Sequence, residues 1–186
     1  EPEIKGFFDR RAQQQAQEDD TAGRQAALQH ALEAGEAVKQ GKIAPNESKW
    51  FMKGYKAQYG ENLGQQWGAE AKVLWEQSPE KNSDKPEAFQ QFYTNFMDGK
   101  MKEQAALDPD VRAGMLPQLQ RARAVLGAAQ AEYSAKKVVE AHVENVGTAI
   151  SGDIDLYLAG KLPKDQLFAN IKQRDSAGRL MGISNE

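Results

Sequence analysis

Closely spaced carboxylates are the first candidates for chemistry in this sequence. Aspartates pair at three places: Asp19 with Asp20, Asp108 with Asp110, and Asp153 with Asp155. Two carboxylates can share acid and base roles when burial separates their pKa values. All three pairs lie at predicted helix starts, where aspartate accepts hydrogen bonds from free amides and complements the helix dipole. Helix capping is therefore the prediction for each pair, and none has the glycine and closing glutamate of a calcium loop.

The two histidines, His30 and His142, are the other candidates for acid–base or metal chemistry. Neither has a second imidazole or a cysteine at ligand spacing, and a metal needs three or four converging donors. The chain contains no cysteine, which excludes thiolate nucleophiles, zinc–thiolate sites and disulfides. We therefore expect surface histidines, no metal and no cofactor.

Glu47 followed by Ser48 resembles the glutamate and serine of lytic transglycosylases, in which a glutamate protonates the glycosidic oxygen. The glycine-rich and methionine–glutamine elements of those enzymes are missing downstream. A peptidoglycan hydrolase is accordingly the second alternative for function, and we assign no catalytic residue.

The elements that must position these residues are all predicted to be helices. Apolar residues make up 40% of the 186 residues, and much of that share is alanine, so we expect a thin core. Valine, isoleucine and threonine are sparse, and no alternating run is bounded by a hairpin turn. We predict an all-α fold, an elongated bundle of about six to eight helices with one long helix. It divides into residues 1–105 and 106–186, or forms one continuous domain.

The most unusual segment is residues 50–75, which combine six aromatic residues with four glycines: Trp50, Phe51, Tyr55, Tyr59, Trp67, Trp75, Gly54, Gly60, Gly64 and Gly68. An apolar stripe at intervals of three or four runs down this helix: Tyr55, Tyr59, Leu63, Trp67, Ala71 and Leu74. A break near Gly60 is expected, because each glycine inside a helix costs about 1 kcal/mol relative to alanine.

This aromatic stripe has two interpretations. Large rings bury area that alanine does not, which favours the core of the domain. Tryptophan and tyrosine also carry energy at interfaces, so the alternative is a docking face for another subunit. The glycines four residues apart allow close packing of a second helix. The candidate interaction residues are Trp50, Tyr55, Tyr59, Gly60, Gly64 and Trp67.

Start and stop signals delimit the neighbouring helices. Thr21 is expected to cap a helix that ends at Gly41, and the next helix starts after Pro45, Asn46 or Ser48. A helix starting near Pro86 is expected to bury Phe89, Phe92 and Phe96.

A long helix is predicted from Pro109 or Pro117 to about Val146. Its apolar positions keep a heptad-like spacing with one skip: Leu119, Ala122, Leu126, Ala129, Tyr133, Val139, Val143, Val146 and Ile150. We expect this helix to pack along its whole length. A short helix at 153–159 and a turn at 160–163, similar to the turn at 41–45, precede a last helix to about Arg174 with Leu167, Phe168 and Ile171 buried.

Charge and hydropathy narrow the class of partner. A net charge of −3 and a pI near 5.6 argue against direct nucleic-acid binding, which needs a basic face. No apolar run approaches the roughly 18 residues that span a bilayer, so we expect no transmembrane segment. We also expect no small-molecule substrate.

One family shares the order of these elements: an alanine- and glutamine-rich helix, a corner of Gly41, Lys42 and Ile43, then Ser48, Lys49, Trp50, Gly54 and Tyr55, and onward Tyr59, Gly60, Gly64, Trp67 and the phenylalanine helix 86–96. Over about residues 20–105 the chain resembles the amino-terminal helical part of internal virion proteins, or ejection proteins, of short-tailed phages. The match is one of order and texture, without an exact motif.

The resemblance implies a non-enzymatic structural protein, packed in the virion and released into the host cell envelope on infection. There it would assemble with other virion proteins or with copies of itself into a conduit for the genome. The first alternative is a helical adaptor or regulatory module in the cytoplasm, which binds a peptide or helix beside the glycine-lined face.

Overall fold

The computed structural model describes residues 2–43, 47–103 and 107–180. Within these ranges it contains six α-helices and a short 3-10 helix (Pro79–Asn82). The α-helices are α1 (Pro2–Gln29), α2 (Ala31–Lys39), α3 (Lys49–Gln77), α4 (Pro86–Glu103), α5 (Pro109–Leu158) and α6 (Lys164–Leu180). The described residues contain no strand, so the predicted all-α fold with one long helix is confirmed.

The helices form two compact units. The first unit comprises residues 1–81 and 87–127, and the second comprises 82–86 and 128–186. The long helix α5 contributes to both units, because residues up to Gly127 belong to the first and those from Ala128 to the second. The first part of α5 therefore packs with the amino-terminal helices.

Helix α1 continues through Thr21, so the cap predicted there is wrong. The Thr21 hydroxyl donates to the carbonyl of Gln17 at 2.9 Å, a bond made inside a helix. The helix is continuous because residues on both sides of Thr21 pack on α3: the backbone of Asp20 lies against Gly54, and Gly23 lies against the backbone of Phe51. Tertiary packing thus overrides the local start signal.

Two of the predicted helix boundaries are confirmed. Gly41, with φ 63°, ends α2 in the left-handed conformation, which lets the amide of Lys42 reach the carbonyl of Ala37 at 3.0 Å. The Ser48 hydroxyl caps α3 by accepting a hydrogen bond from the amide of Phe51 at 3.2 Å. Pro45 and Asn46, the other parts of that start signal, lie outside the described residues.

The predicted break near Gly60 does not occur, and α3 runs uninterrupted from Lys49 to Gln77. Pro117 likewise lies inside α5, and the separate helix predicted at 153–159 is the end of α5. Helix α3 packs closely on α5 at Gly60, and α5 buries Met115 and Leu119 on either side of Pro117, which offsets the local cost of glycine and proline.

The aspartate pairs have two different settings. Asp108 lies at the start of α5 as predicted, and its carboxylate accepts a hydrogen bond from the amide of Asp110 at 2.9 Å. Helix capping is wrong for the other two pairs, because Asp19 and Asp20 lie inside α1, and Asp153 and Asp155 lie inside α5. Their helices extend past the predicted starts, and a mid-helix aspartate costs only a few tenths of a kcal/mol.

The predicted phenylalanine face is confirmed at Phe89, which is fully buried against Trp75 with ring centres 5.4 Å apart. Phe92 and Phe96 are half-buried against the same core of the first unit. Tyr93 was missed: its buried hydroxyl donates to the carbonyl of Leu119 at 2.7 Å. Burial raises the pKa of this tyrosine.

The start of α5 carries an ion pair that should depend on pH. The Lys56 ammonium donates to the Asp108 carboxylate at 2.7 Å. Partial burial alone would raise the pKa of Asp108, but the bonds from Lys56 and from the amides of Asp110 and Val111 outweigh it and lower the pKa from its ordinary value. A carboxyl group with a lowered pKa in the folded state stabilises the fold above its unfolded pKa, near 3.8, and this contribution is lost as pH falls through the folded value.

We therefore expect Asp108→Asn, which keeps a capping oxygen, to lower the free energy of unfolding at pH 7 by about 0.5 to 1 kcal/mol. Asp108→Ala should cost about 1 kcal/mol more, because the cap is also lost. Urea unfolding at pH 7 and near pH 3 measures both, with Asp98→Asn as the control. An Asn variant that lags the wild type equally at both pH values would contradict the ion-pair account.

Candidate interaction surfaces

Helices α3 and α5 cross with their backbones in direct contact. A Cβ atom at Gly60 would lie closer than 3.0 Å to the carbonyl oxygen of Val111, and one at Gly114 equally close to that of Ala57. Real Cβ atoms essentially never approach so closely. The contact is reciprocal, since a glycine of each helix faces the backbone of the other. Gly64 extends it, because its Cβ would lie 2.7 Å from the carbonyl oxygen of Met115.

Helices α1 and α3 make a second crossing of the same kind. Gly54 faces the carbonyl oxygen of Asp20, and Gly23 faces that of Phe51, again with no room for a Cβ atom. The Arg24 guanidinium ties the same helices together by donating to the Glu61 carboxylate at 2.9 Å. The glycines of the aromatic segment thus serve contacts within the chain.

The predicted interaction residues divide between core and surface. Tyr55 and Trp67 are buried, with Trp67 only 4% exposed, while Gly60 and Gly64 lie at the crossing with α5. Tyr59 is half-buried; a Cβ at Gly35 would lie 3.1 Å from its hydroxyl oxygen. Trp50 alone among the six lies at the surface, 38% exposed.

The apolar stripe ends differently from the prediction. Ala71 is buried as expected, but Leu74 is exposed and Trp75 takes the buried position instead. Trp75 is reached by α4, whose phenylalanine rings pack on it. The sequence spacing allowed either residue, and the position of α4 decides between them.

An open groove of about 760 Å³ lies beside Trp50, between α1 and α3. Its lining includes Ala16 and Gln17 of α1 and Lys53 of α3. The ammonium groups of Lys49 and Lys53 lie 5.1 and 5.5 Å from the centre of the Trp50 ring, a cation–π arrangement. The lining of the groove thus carries one aromatic ring, the Lys53 ammonium and the Asp20 carboxylate.

A smaller groove of about 320 Å³ follows the glycine-lined face between α3 and α5. Gly64, Gly68 and Ala122 form its floor, and Lys72 and Arg121 stand at its rim. Small residues therefore line this groove, and two exposed cations flank it.

The second unit contains a helical hairpin formed by the end of α5 and by α6. Gly160, with φ 71°, ends α5 and lets the amide of Lys161 reach the carbonyl of Leu156 at 2.9 Å. In the turn after α2, the amide of Lys42 makes the equivalent bond to the carbonyl five residues earlier, that of Ala37. The predicted similarity of the two turns is therefore found. Across the hairpin, Asp153 accepts a hydrogen bond from Asn170 at 3.1 Å and pairs with Arg174.

The hairpin buries less than the sequence predicts. Leu167 is buried and Ile171 half-buried, but Phe168 is 58% exposed. Val143 of the long helix is also half exposed, so packing of α5 along its whole length is wrong within the described residues. The reason is geometric, since α6 covers only one face of α5.

An exposed apolar row remains on this part of α5. It consists of Val143, Ile154 and Leu158, with the half-buried Ile150 between them and Gly147 open to solvent. The members recur at intervals of three or four and therefore lie on one side of the helix. Heptad spacing marked the start of this row, whereas Ile154 and Leu158 were assigned to a separate helix and missed.

The candidates for chemistry lie apart from one another. His30 is exposed at the junction of α1 and α2, as predicted, whereas His142 is half-buried and its Nε2 atom has no hydrogen-bond partner in the described part of the chain. Glu47 is exposed, while the hydroxyl of Ser48 is engaged in the cap of α3. No group of three or more potential metal ligands occurs among the described residues.

Comparison with known proteins gave no relative: no family model, no curated protein and no solved structure matched this chain. In the part of the chain that the structure describes, none of the helices combines the length and apolarity needed to cross a bilayer.

Proposed function

We propose that this protein is a non-enzymatic structural component that works through helix-to-helix assembly. The observation that carries the proposal is the apolar row of Val143, Ile154 and Leu158, which lies exposed beside Phe168 of α6. Single exposed apolar residues are ordinary on a protein surface, but an aligned row of them is typical of an assembly surface.

The setting we propose for this assembly is the virion of a short-tailed phage. The proposal is supported by the resemblance over residues 20–105 to internal virion proteins. In this setting the protein is packed in the capsid, leaves it at infection and joins other ejected proteins in the host envelope. Its function then depends on surfaces for other helices rather than on reactive side chains.

The test of this setting is the protein composition of purified particles. Quantitative mass spectrometry of nuclease-treated virions, from the phage that carries the coding sequence, should recover the chain at a fixed number of copies per capsid. Capsid and tail genes should flank its gene. Absence from the particles, with host regulatory genes on either side, would overturn the setting.

A helical adaptor is the second candidate, and one observation favours it. The groove between α3 and α5 has the small residues Gly64 and Gly68 on its floor and the exposed cations Lys72 and Arg121 at its rim. Such a groove fits an amphipathic helix with an acidic residue beside its apolar face. Host regulatory neighbours of the gene would favour this candidate.

A further inference from the structure

We propose that the second unit pairs with the second unit of another copy of this chain, with the two α5 helices antiparallel. The inference rests on the proposed function and deepens it by naming the partner of the apolar row. In a dimer with a two-fold axis, the same surface of each copy forms the interface, and such dimers are the commonest soluble oligomers.

The apolar row on α5 and Phe168 of α6 lie on one side of the hairpin, whereas the exposed Leu156 lies on the other side. Ile154 directly follows Asp153, which contacts α6, and Phe168 directly follows the buried Leu167. One residue rotates an α-helix by about 100°. In antiparallel helices, positions rotated in the same sense from the shared seam face the same side. Phe168 therefore joins the row on α5 in a single face.

The size of this face fits a second hairpin. Among the described residues of the second unit, Leu167 is the one large apolar side chain that is buried. Val143, Ile154, Leu158 and Phe168 together expose roughly 400 Å², taking about 150 to 200 Å² for a fully exposed side chain of this size. A standard interface takes about 800 Å² from each partner, with an apolar centre and a polar rim.

Charge sets the direction of pairing. Glu132 lies towards the amino end of the row, and Lys161 lies just beyond its other end, both exposed. In an antiparallel pair each Glu132 meets the Lys161 of the other copy, whereas a parallel pair would place like charges together. This register puts the two-fold axis at Val146 and Gly147. A Cβ at Gly147 would meet nothing within 4 Å, so this glycine leaves the second helix free to approach closely.

The mass of the full chain in solution tests the pairing. Sedimentation equilibrium over a concentration series should give a dimer of the 20.6 kDa chain. Leu158→Glu and Phe168→Glu should each raise the dimer dissociation constant at least tenfold, because each puts a charge into the apolar face. Leu32→Glu is the matched control, since Leu32 is 99% exposed in the first unit and Leu158 is 75% exposed. Circular dichroism should show unchanged helix content in all three variants.

A wild-type chain that stays monomeric up to its solubility limit would overturn the pairing. So would a dimer that Leu158→Glu and Phe168→Glu weaken no more than Leu32→Glu does. A monomer that is nevertheless found in phage particles would refute this inference and leave the proposed function standing. A dimer built on this row but absent from particles would instead refute the phage setting and leave the inference standing.

Single cysteines test the direction of pairing, because the chain has none of its own. Under mild oxidation Gly147→Cys should form a disulfide-linked dimer, since residue 147 lies beside its own copy at the two-fold axis. Leu158→Cys should not, because the two copies of that residue lie about 30 Å apart along antiparallel helices. Cross-linking at Leu158→Cys as readily as at Gly147→Cys would show a parallel pair and overturn the proposed arrangement.

Discussion

Gly60→Ala should lower the free energy of unfolding by about 3 kcal/mol, although alanine is the better helix former. The added Cβ atom would overlap the carbonyl oxygen of Val111, which is backbone and has no other rotamer to adopt. Helices α3 and α5 would have to separate, and the contact of Gly114 with Ala57 in the same crossing would loosen with them. Denaturant unfolding of the full chain measures the loss.

Gly99→Ala is the matched control for this prediction. Gly99 lies inside α4, and a Cβ atom there would meet nothing within 4 Å. The same substitution should therefore raise stability by about 0.5 to 1 kcal/mol, the ordinary gain in helix propensity. If Gly60→Ala were as harmless as Gly99→Ala, the close crossing of α3 and α5 would be wrong.

Trp67→Ala should cost about 3 to 5 kcal/mol, the usual range for a buried aromatic side chain. Trp67 packs in one cluster with Met115 and Leu119 of α5 and leaves a large cavity when it is truncated. Thermal or denaturant unfolding at a concentration where the chain is monomeric gives this cost without any contribution from assembly.

Trp50→Ala is the control, because Trp50 has the same chemistry on the same helix but lies at the surface. We expect it to change stability by less than about 1 kcal/mol. The pair decides between the two interpretations of the aromatic stripe. Unchanged stability with lost association in Trp67→Ala would mark a docking face and contradict its role in the core.

Local chemistry predicted those parts of the fold that depend on a few adjacent residues. Ser48 caps α3 because a hydroxyl at that position reaches the third amide of the helix. Gly41 and Gly160 end their helices because each adopts a positive φ that other residues avoid. The all-α class followed from the same kind of signal, summed over the whole chain.

The wrong predictions arose where a distant element decides the local structure. Gly60 looked like a break because its cost is local, whereas the helix that offsets this cost comes some fifty residues later in the chain. The spacing of the stripe allows either Leu74 or Trp75 to be buried, and the contact between α4 and Trp75 decides which one is. Neither outcome is visible in the segment itself.

The sequence predicts the apolar spacing along α5, but it does not predict that part of this apolar row is exposed. Val143 belongs to an apolar repeat that indicates helix packing, and the sequence gives no sign of how many faces of α5 are covered. Phe168 was predicted to be buried because it adjoins Leu167 and Ile171, and rotation by one residue turns it away from the seam. Exposure depends on where α6 lies, which no local rule supplies.

Amide hydrogen exchange at low and high protein concentration tests the central claim most directly, because it reports core and assembly surface in one experiment. We predict slow exchange in α3, from Trp50 to Trp75, at every concentration, and exchange in α5 from Val143 to Leu158 that slows further as concentration rises. If exchange in α3 slowed with concentration while that part of α5 did not respond, the aromatic segment would be the assembly surface and this account would be wrong.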